Sequence, residues 1–238
     1  MIYHVDLHIH TCHSHDGCMT VDEIVQHARA KGLNAVAICD HDRFFDDAVE
    51  DFPVIRGCEF STAYGHLLGL FLNSPIHETE FSAIVQAIHE QGGIAVLAHP
   101  YQRSRDVEAV AHLIDGVEVW NSRACRKNRA ANKQALEFAR RHDLLWFAGS
   151  DAHVPNEIGN VVLTVEGDDL KSALVQNHVT IHARHSASWN TARSQLTKLK
   201  KEKAGFPAKL RWCLFAAKCL MTRKEKEYVL IGKDRKEG

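Results

Sequence analysis

Residues 6–11 read Asp6-Leu7-His8-Ile9-His10-Thr11. In an extended strand, side chains two apart share a face and sit ~6.6 Å apart along the chain. His8 and His10 therefore point the same way, and imidazoles of that reach converge on one ion at ~2.0 to 2.1 Å. Asp6 lies on that face one pleat further in, where it is expected to accept the distal N–H of a ligating imidazole. Val5, Leu7 and Ile9 turn toward the surrounding helices. One His-x-His is weak by itself, so its meaning depends on the other strands.

Working outward, short apolar runs alternate with amphipathic stretches, the pattern of parallel βα units. Strands are predicted at 2–10, 34–40, 52–61, 66–72, 93–99, 115–120 and 144–151, with two more at 161–165 and 179–183. The first helix is signalled by Thr20-Val21-Asp22-Glu23, which has the form of a capping box, by Ile24, Ala28 and Ala30, and by Gly32 as a stop. Further helices are predicted at 80–91, 106–114, 128–142 and 168–177. Periodicity alone does not choose between a closed barrel and an open doubly wound sheet. No Gly-rich nucleotide loop is present.

The predicted strands end alike. Asp40, His41 and Asp42 close the second, Glu59 lies on the third and His66 opens the fourth. His99 closes the fifth, and Asp151 and His153 follow the seventh. In α/β folds the C-terminal strand ends form the functional face, so these groups are expected to meet there. Imidazoles mixed with carboxylates suit Zn, Mn or Fe rather than calcium or a thiolate site. Nine ligands exceed what one ion accepts, so two or three divalent ions are implied. The seven scattered cysteines include no Cys-x-x-Cys pair and suggest neither a disulfide framework nor a cysteine zinc site.

In this order, DLHIHT, CDHD, the GCE and GH pair, AHP, EVWN and GSDAH resemble the polymerase and histidinol phosphatase (PHP) family over about residues 2–165. The resemblance implies a distorted (β/α)7 TIM-like barrel, a two- or three-metal centre, and phosphoesterase activity through a metal-bridged hydroxide. It places His8, His10, Glu59 and Asp151 on one ion, with Glu59 bridging to a second held by His66 and His99. His41 and His153 would hold a third with Asp16, for which His15 is the alternative. Glu118 and Asn121 match the family's E-x-x-N element. Phosphate recognition calls for arginine forks. Arg43, Arg103 and Arg123 are the candidates, Arg103 first by its distance from His99, and Arg105 lies nearby. Only 32 residues separate His66 from His99, too few for the cap insertion of some relatives.

Residues 1–186 are assigned to the barrel and 187–238 to a basic helical C-terminal extension. The extension has fourteen Lys/Arg against five Asp/Glu, whereas the preceding body has fifteen against twenty-five. Its helix is expected near Pro207, docked through Leu210, Cys213, Leu214, Ala217 and Met221, with Trp212, Phe215 and Cys219 as a second edge. The sharper use of such a surface is binding nucleic acid or anionic lipid. No apolar run is long enough to span a bilayer, and the N-terminus lacks a signal peptide's basic start and apolar core, so a cytoplasmic protein is expected. The leading function is hydrolysis of a phosphorylated small molecule by a phosphomonoesterase. The competitors are a nuclease acting on nucleic-acid ends and a nucleic-acid-binding accessory protein with a structural metal site.

Overall fold

The computed structural model describes residues 1–102, 106–126, 128–203, 205–221 and 228–233. Its strands are β1 (Ile2–Ile9), β2 (Ala35–Ile38), β3 (Val54–Thr62), β4 (Gly65–Leu70), β5 (Ile94–Ala98), β6 (Gly116–Asn121), β7 (Leu145–Gly149), β8 (Val161–Glu166), β9 (Val179–Ala183) and β10 (Val229–Lys233). The helices are α1 (Val21–Ala30), α2 (Phe81–Glu90), α3 (Ala131–Arg141), α4 (Leu170–Gln176), α5 (Ser188–Lys201) and α6 (Phe206–Met221).

A single curled sheet runs β10-β9-β8-β1-β2-β3-β4-β5-β6-β7. Beyond its pairing with β8 and β2, the end of β1 also meets the segment after β7. There His10 N–H donates to Ala152 O at 2.9 Å, and Ala152 N–H donates to His8 O at 3.3 Å. The result is a mixed α/β, TIM-like barrel in distorted form. The parallel rhythm breaks at β4, which is antiparallel to both β3 and β5. The cause is local, because two residues between β3 and β4 permit a hairpin but not a crossover helix.

The alternation in β1 is realised. Val5 and Leu7 join the main core, and Ile9 packs with Met19, Ile24, Ala28, Val36 and Ile38 around α1. Burying each large aliphatic side chain contributes about 1.5–3 kcal/mol. The Thr20 hydroxyl accepts from Glu23 N–H at 3.2 Å while the Glu23 carboxylate accepts from Thr20 N–H at 2.9 Å, so the capping box forms as read. Gly32 follows in the left-handed region at φ 74°. The helix expected over 106–114 is reduced to a 3-10 turn, Val107–Val110, entered from Asp106 in the left-handed region.

Residues 187–238, expected as a basic extension, add two elements that sequence periodicity missed. Helix α5 buries Asn190, Thr191, Ala192 and Ser194, and β10 pairs antiparallel with β9. Helix α6 packs on α5, but not through the expected stripe: Leu210 and Leu214 are exposed, and Ala216 and Cys219 are buried.

Candidate metal centre

Strand ends carry the cluster. His8 and His10 come from β1 and the residue after it, His41 follows β2, Glu59 lies on β3 and His66 on β4. His99 follows β5, and Asp151 and His153 follow β7. Asp16 arrives on the loop after β1. His99 and Asp151 occupy left-handed backbone, φ 27° and 55°, which turns each chain sharply at the point where its side chain enters the cluster.

All nine expected ligands meet, in three overlapping groups. Around His8 Nε2, His10 Nε2 lies at 3.1 Å, Glu59 Oε2 at 3.6 Å and Asp151 Oδ1 at 3.9 Å. The other oxygen of Glu59 lies 2.6 Å from His66 Nδ1 and 2.9 Å from His99 Nε2. Asp16 Oδ1 lies 3.1 Å from His153 Nε2 and 3.6 Å from His41 Nε2. His41 Nδ1 lies 2.8 Å from Glu59 Oε2, joining the third group to the first. His15, the alternative to Asp16, is more exposed, and its Nε2 lies 3.8 Å from Asp16 Oδ1.

Tautomer logic tests whether this donor set fits cations. Ser14 Oγ donates to Asp40 Oδ1 at 2.6 Å, so at 3.1 Å it must accept from His10 Nδ1–H. His8 Nδ1–H donates to Glu118 Oε1 at 3.0 Å. In neutral rings each Nε2 then carries a lone pair, and the two lone pairs face each other across 3.1 Å. Glu59 Oε2 and Asp16 Oδ1 are buried and receive no well-aimed hydrogen bond among the described residues despite the nearby imidazoles. So dense a convergence of imidazole nitrogens and carboxylate oxygens is what a divalent ion satisfies, so the residues fit the implied metals.

Electrostatics agree. Burial pushes the Glu59 carboxyl pKa up, but the charges of His41, His66 and His8 prevail and hold it well below its ordinary range. Asp151 is held down in the same way, chiefly by His8. Each such contact contributes ~4 kcal/mol at 4 Å in an effective dielectric of ~20, so several outweigh a desolvation cost of several kcal/mol. His10 goes the other way: burial, then His153 and His41, lower it to about 3, leaving the ring neutral. For His8, burial lowers the pKa, but Glu118, Glu59 and Asp151 raise it well above the ordinary value. Without a cation, a proton takes the cation's place there.

Three sequence expectations are corrected. Asp6 does not orient a ligand imidazole: its carboxylate accepts the backbone N–H of Ser150 at 2.8 Å and of Gly159 at 3.4 Å, tying β1 to β7. The orienting carboxylate is Glu118, whose Oε2 also accepts from His99 N–H at 2.7 Å and Asn121 Nδ2–H at 2.9 Å. Arg43 is exposed and outside the lining of the cleft. Arg123 does border the cleft, but Glu157 takes its fork in two bonds, 2.8 and 2.7 Å, and Ser194 takes its remaining arm. Arg103 and Arg105 lie outside the described residues.

The cleft over the cluster measures about 290 Å³. Sequence reading missed its rim residues Gln102, Arg126, Gln195 and Lys198. Gln195 and Lys198 come from α5, which no motif announced.

The PHP domain profile matches residues 6–125, and a profile described as PHP-associated matches 129–177. An uncharacterised protein of Methanocaldococcus jannaschii is 31% identical over 170 residues, covering 67% of this chain and 69% of that protein. A second from the same organism is 35% identical over 140 residues, 49% of this chain and 81% of that one. Among solved structures, a two-domain protein from Bacteroides vulgatus, described as containing a predicted PHP-like metal-dependent phosphoesterase, superposes with TM-score 0.64 at 18% identity. That match covers 77% of this chain but only 65% of the other. PsfC from Pseudomonas syringae superposes with TM-score 0.58 at 16% identity over 85% of this chain and 98% of its own. The structural matches speak for the fold; the profile, spanning the strands that bear most of the clustered side chains, and the first archaeal relative go further, and place this chain in the PHP domain family.

Proposed function

We propose that this protein is a metal-dependent phosphomonoesterase acting on a small phosphorylated molecule at a two- or three-ion centre. One observation carries the reading: two imidazole nitrogens 3.1 Å apart and two buried carboxylate oxygens without a hydrogen-bond partner among the described residues converge within a single cluster. In this reading His8, His10, Glu59 and Asp151 hold one ion, Glu59, His66 and His99 a second, and Asp16, His41 and His153 a third. Mn, Zn and Fe all suit that mixture of nitrogen and oxygen. Such ions act as Lewis acids on phosphoryl oxygens and bring the pKa of a bound water to ~7.

The chain's own residues supply position and charge. Glu118 fixes the His8 ring, and Ser14 with Asp40 fixes the His10 ring, so both lone pairs stay aimed. Lys198 and Arg126 at the rim meet the phosphate from the open side. Water attacks phosphorus opposite the leaving oxygen, the ester P–O bond breaks, and the alcohol departs with a proton while inorganic phosphate retains the incoming oxygen. A cleft of about 290 Å³ is scaled to a small ester rather than a polymer, which favours a phosphatase over a nuclease.

The test is hydrolysis of an aryl phosphate after loading with Mn, Zn or Fe separately, with bound metal measured by elemental analysis. His10→Ala is expected to lose metal and at least ~100-fold in kcat/KM, since even an outer-sphere change costs 10–100-fold. Full turnover by that variant ends the proposal.

A further inference from the structure

A second recess of about 320 Å³ adjoins the cleft, and Arg123 and Arg126 line both. Its wall comes from the loop after β6 and from the start of α5. The lining contains Arg126, Arg129, His185, Ser122, Ser188 and Thr191, and no carboxylate among the described residues. The surroundings of the metal cluster are crowded with Asp and Glu, so the sign of the lining changes over a short span between the cleft and this recess. Arg123 adds little net charge, because Glu157 neutralises it from behind.

One buried group marks the recess as built for a ligand. Ser122 is 2% exposed, and its hydroxyl finds no hydrogen-bond partner among the described residues. An unmet buried hydroxyl is destabilising, and a bound acceptor relieves it. The loop residues of this wall follow Asn121, whose side chain is held by Glu118 and whose backbone N–H is held by Asn132, so the recess is fixed relative to the metal cluster. The opposite wall belongs to α5, which neither family profile covers.

We infer that the recess is a second anion subsite: the substrate is a phosphate ester whose alcohol portion carries another anionic group, a carboxylate or a second phosphate. This rests on the phosphomonoesterase reading for its catalytic half only. While the scissile phosphate sits at the metal cluster, the second anion lies between Arg126 and Arg129 and accepts from the Ser122 hydroxyl. Arg126, on the shared wall, touches both halves. The pairing selects against esters whose aryl or alkyl portion is uncharged, which leave the Ser122 hydroxyl unmet.

Two measurements test this. In the first, the metal-loaded protein is assayed with an aryl phosphate, a phosphorylated hydroxy acid and a diol bisphosphate. At least one of the two substrates bearing a second anionic group is expected to exceed the aryl ester at least ~10-fold in kcat/KM, and whichever does so identifies the second anion. Arg129→Gln and Ser122→Ala should each shrink that ratio. Equal kcat/KM for all three substrates, a ratio unmoved by either variant, or preferential cleavage of oligonucleotide ends overturns the inference.

The second measurement does not depend on hydrolysis. Inorganic phosphate is titrated into the full-length protein by calorimetry, with His10→Ala and Arg129→Gln in parallel. Two phosphates per chain are expected for metal-loaded wild type, and one each for the two variants. If no ester is cleaved but phosphate still binds in an Arg129-dependent manner, the phosphatase reading fails and the anion subsite stands. Phosphate stoichiometry indifferent to Arg129 removes the subsite whatever the kinetics.

Discussion

Glu118 shows how one buried carboxylate organises a centre without belonging to it. Its two oxygens collect the His8 ring, the His99 backbone and the Asn121 side chain, drawing the ends of β1, β5 and β6 to one point. Sequence matching flagged Glu118 as part of an E-x-x-N element but gave it no partner, because the partner lies 110 residues away. Glu118→Gln keeps the shape and removes the charge. Metal affinity, read by competition with a chelator, is expected to fall 10–100-fold, as for other outer-sphere partners of ligating histidines. Unchanged affinity would show that packing alone orients His8. Gly149 faces the same crowded spot: a Cβ there would lie 2.3 Å from His8 Cβ and 2.8 Å from Glu118 Oε1. Gly149→Ala should therefore destabilise the fold by about 1–3 kcal/mol or more in urea denaturation, and wild-type stability would mean that β7 yields at that point.

Among the elements, the loop from Thr11 to Gly17 depends most on distant support. Asp40 clasps its start, accepting from Thr11 N–H at 2.8 Å, Thr11 Oγ at 2.6 Å and Ser14 Oγ at 2.6 Å. Lys201, the last residue of α5, donates to the carbonyls of Cys12, Ser14 and Gly17 at 2.7, 2.7 and 2.8 Å. Three charge-assisted bonds use every proton of the ammonium and hold the loop that presents Asp16. Lys201→Met is expected to weaken binding of the ion nearest Asp16 roughly 10-fold, within the range for lost supporting contacts, and to spare the ions around Glu59. A manganese titration followed by electron paramagnetic resonance resolves the classes, and wild-type affinity in every class would make the loop self-supporting. In this way α5, which the strand-and-helix rhythm did not extend to, becomes part of the centre.

At the scale of the molecule, the centre couples metal, protons and stability. Burial lowers the His41 pKa, but Glu59, followed by Asp16 and Asp151, outweighs it and takes the value to about 9. His8 and His99 are raised as well. A histidine raised in the fold contributes stability that is complete below its unfolded value near 6.5 and is lost as pH climbs through the folded value. The chelated protein should therefore lose stability from pH 6.5 to 9, whereas His10, depressed to about 3, costs stability only below 6.5. Cations displace the same protons, so metal affinity should rise with pH across that window and the metal-loaded protein should escape the loss. Urea midpoints at both ends, with and without chelator, check this; a chelated protein more stable at the alkaline end contradicts the sign. No helix among the described residues is long and apolar enough to cross a membrane.

The nine strands before β10, the capping box on α1 and eight of the nine converging side chains were legible because each is written locally, in a two-residue alternation, a cap spacing or a ligand at a strand end; Asp16, on a loop, was expected only from the family resemblance. Which partner each side chain meets was not. Asp6 and Glu118 are both carboxylates with the reach to orient an imidazole, and only the closure of β1 against β7 and β6 decided that Asp6 holds backbone while Glu118 holds His8. Arg123 carried a phosphate-binding fork by type, yet Glu157, 34 residues on, reached it first. The hairpin at β4, the packing of α5 over the cleft and the pairing of β10 with β9 depend on long-range contacts that no window of sequence contains. Local periodicity determined the elements, and the order of motifs supplied the ligand candidates; tertiary closure decided pairing, charge partners and access.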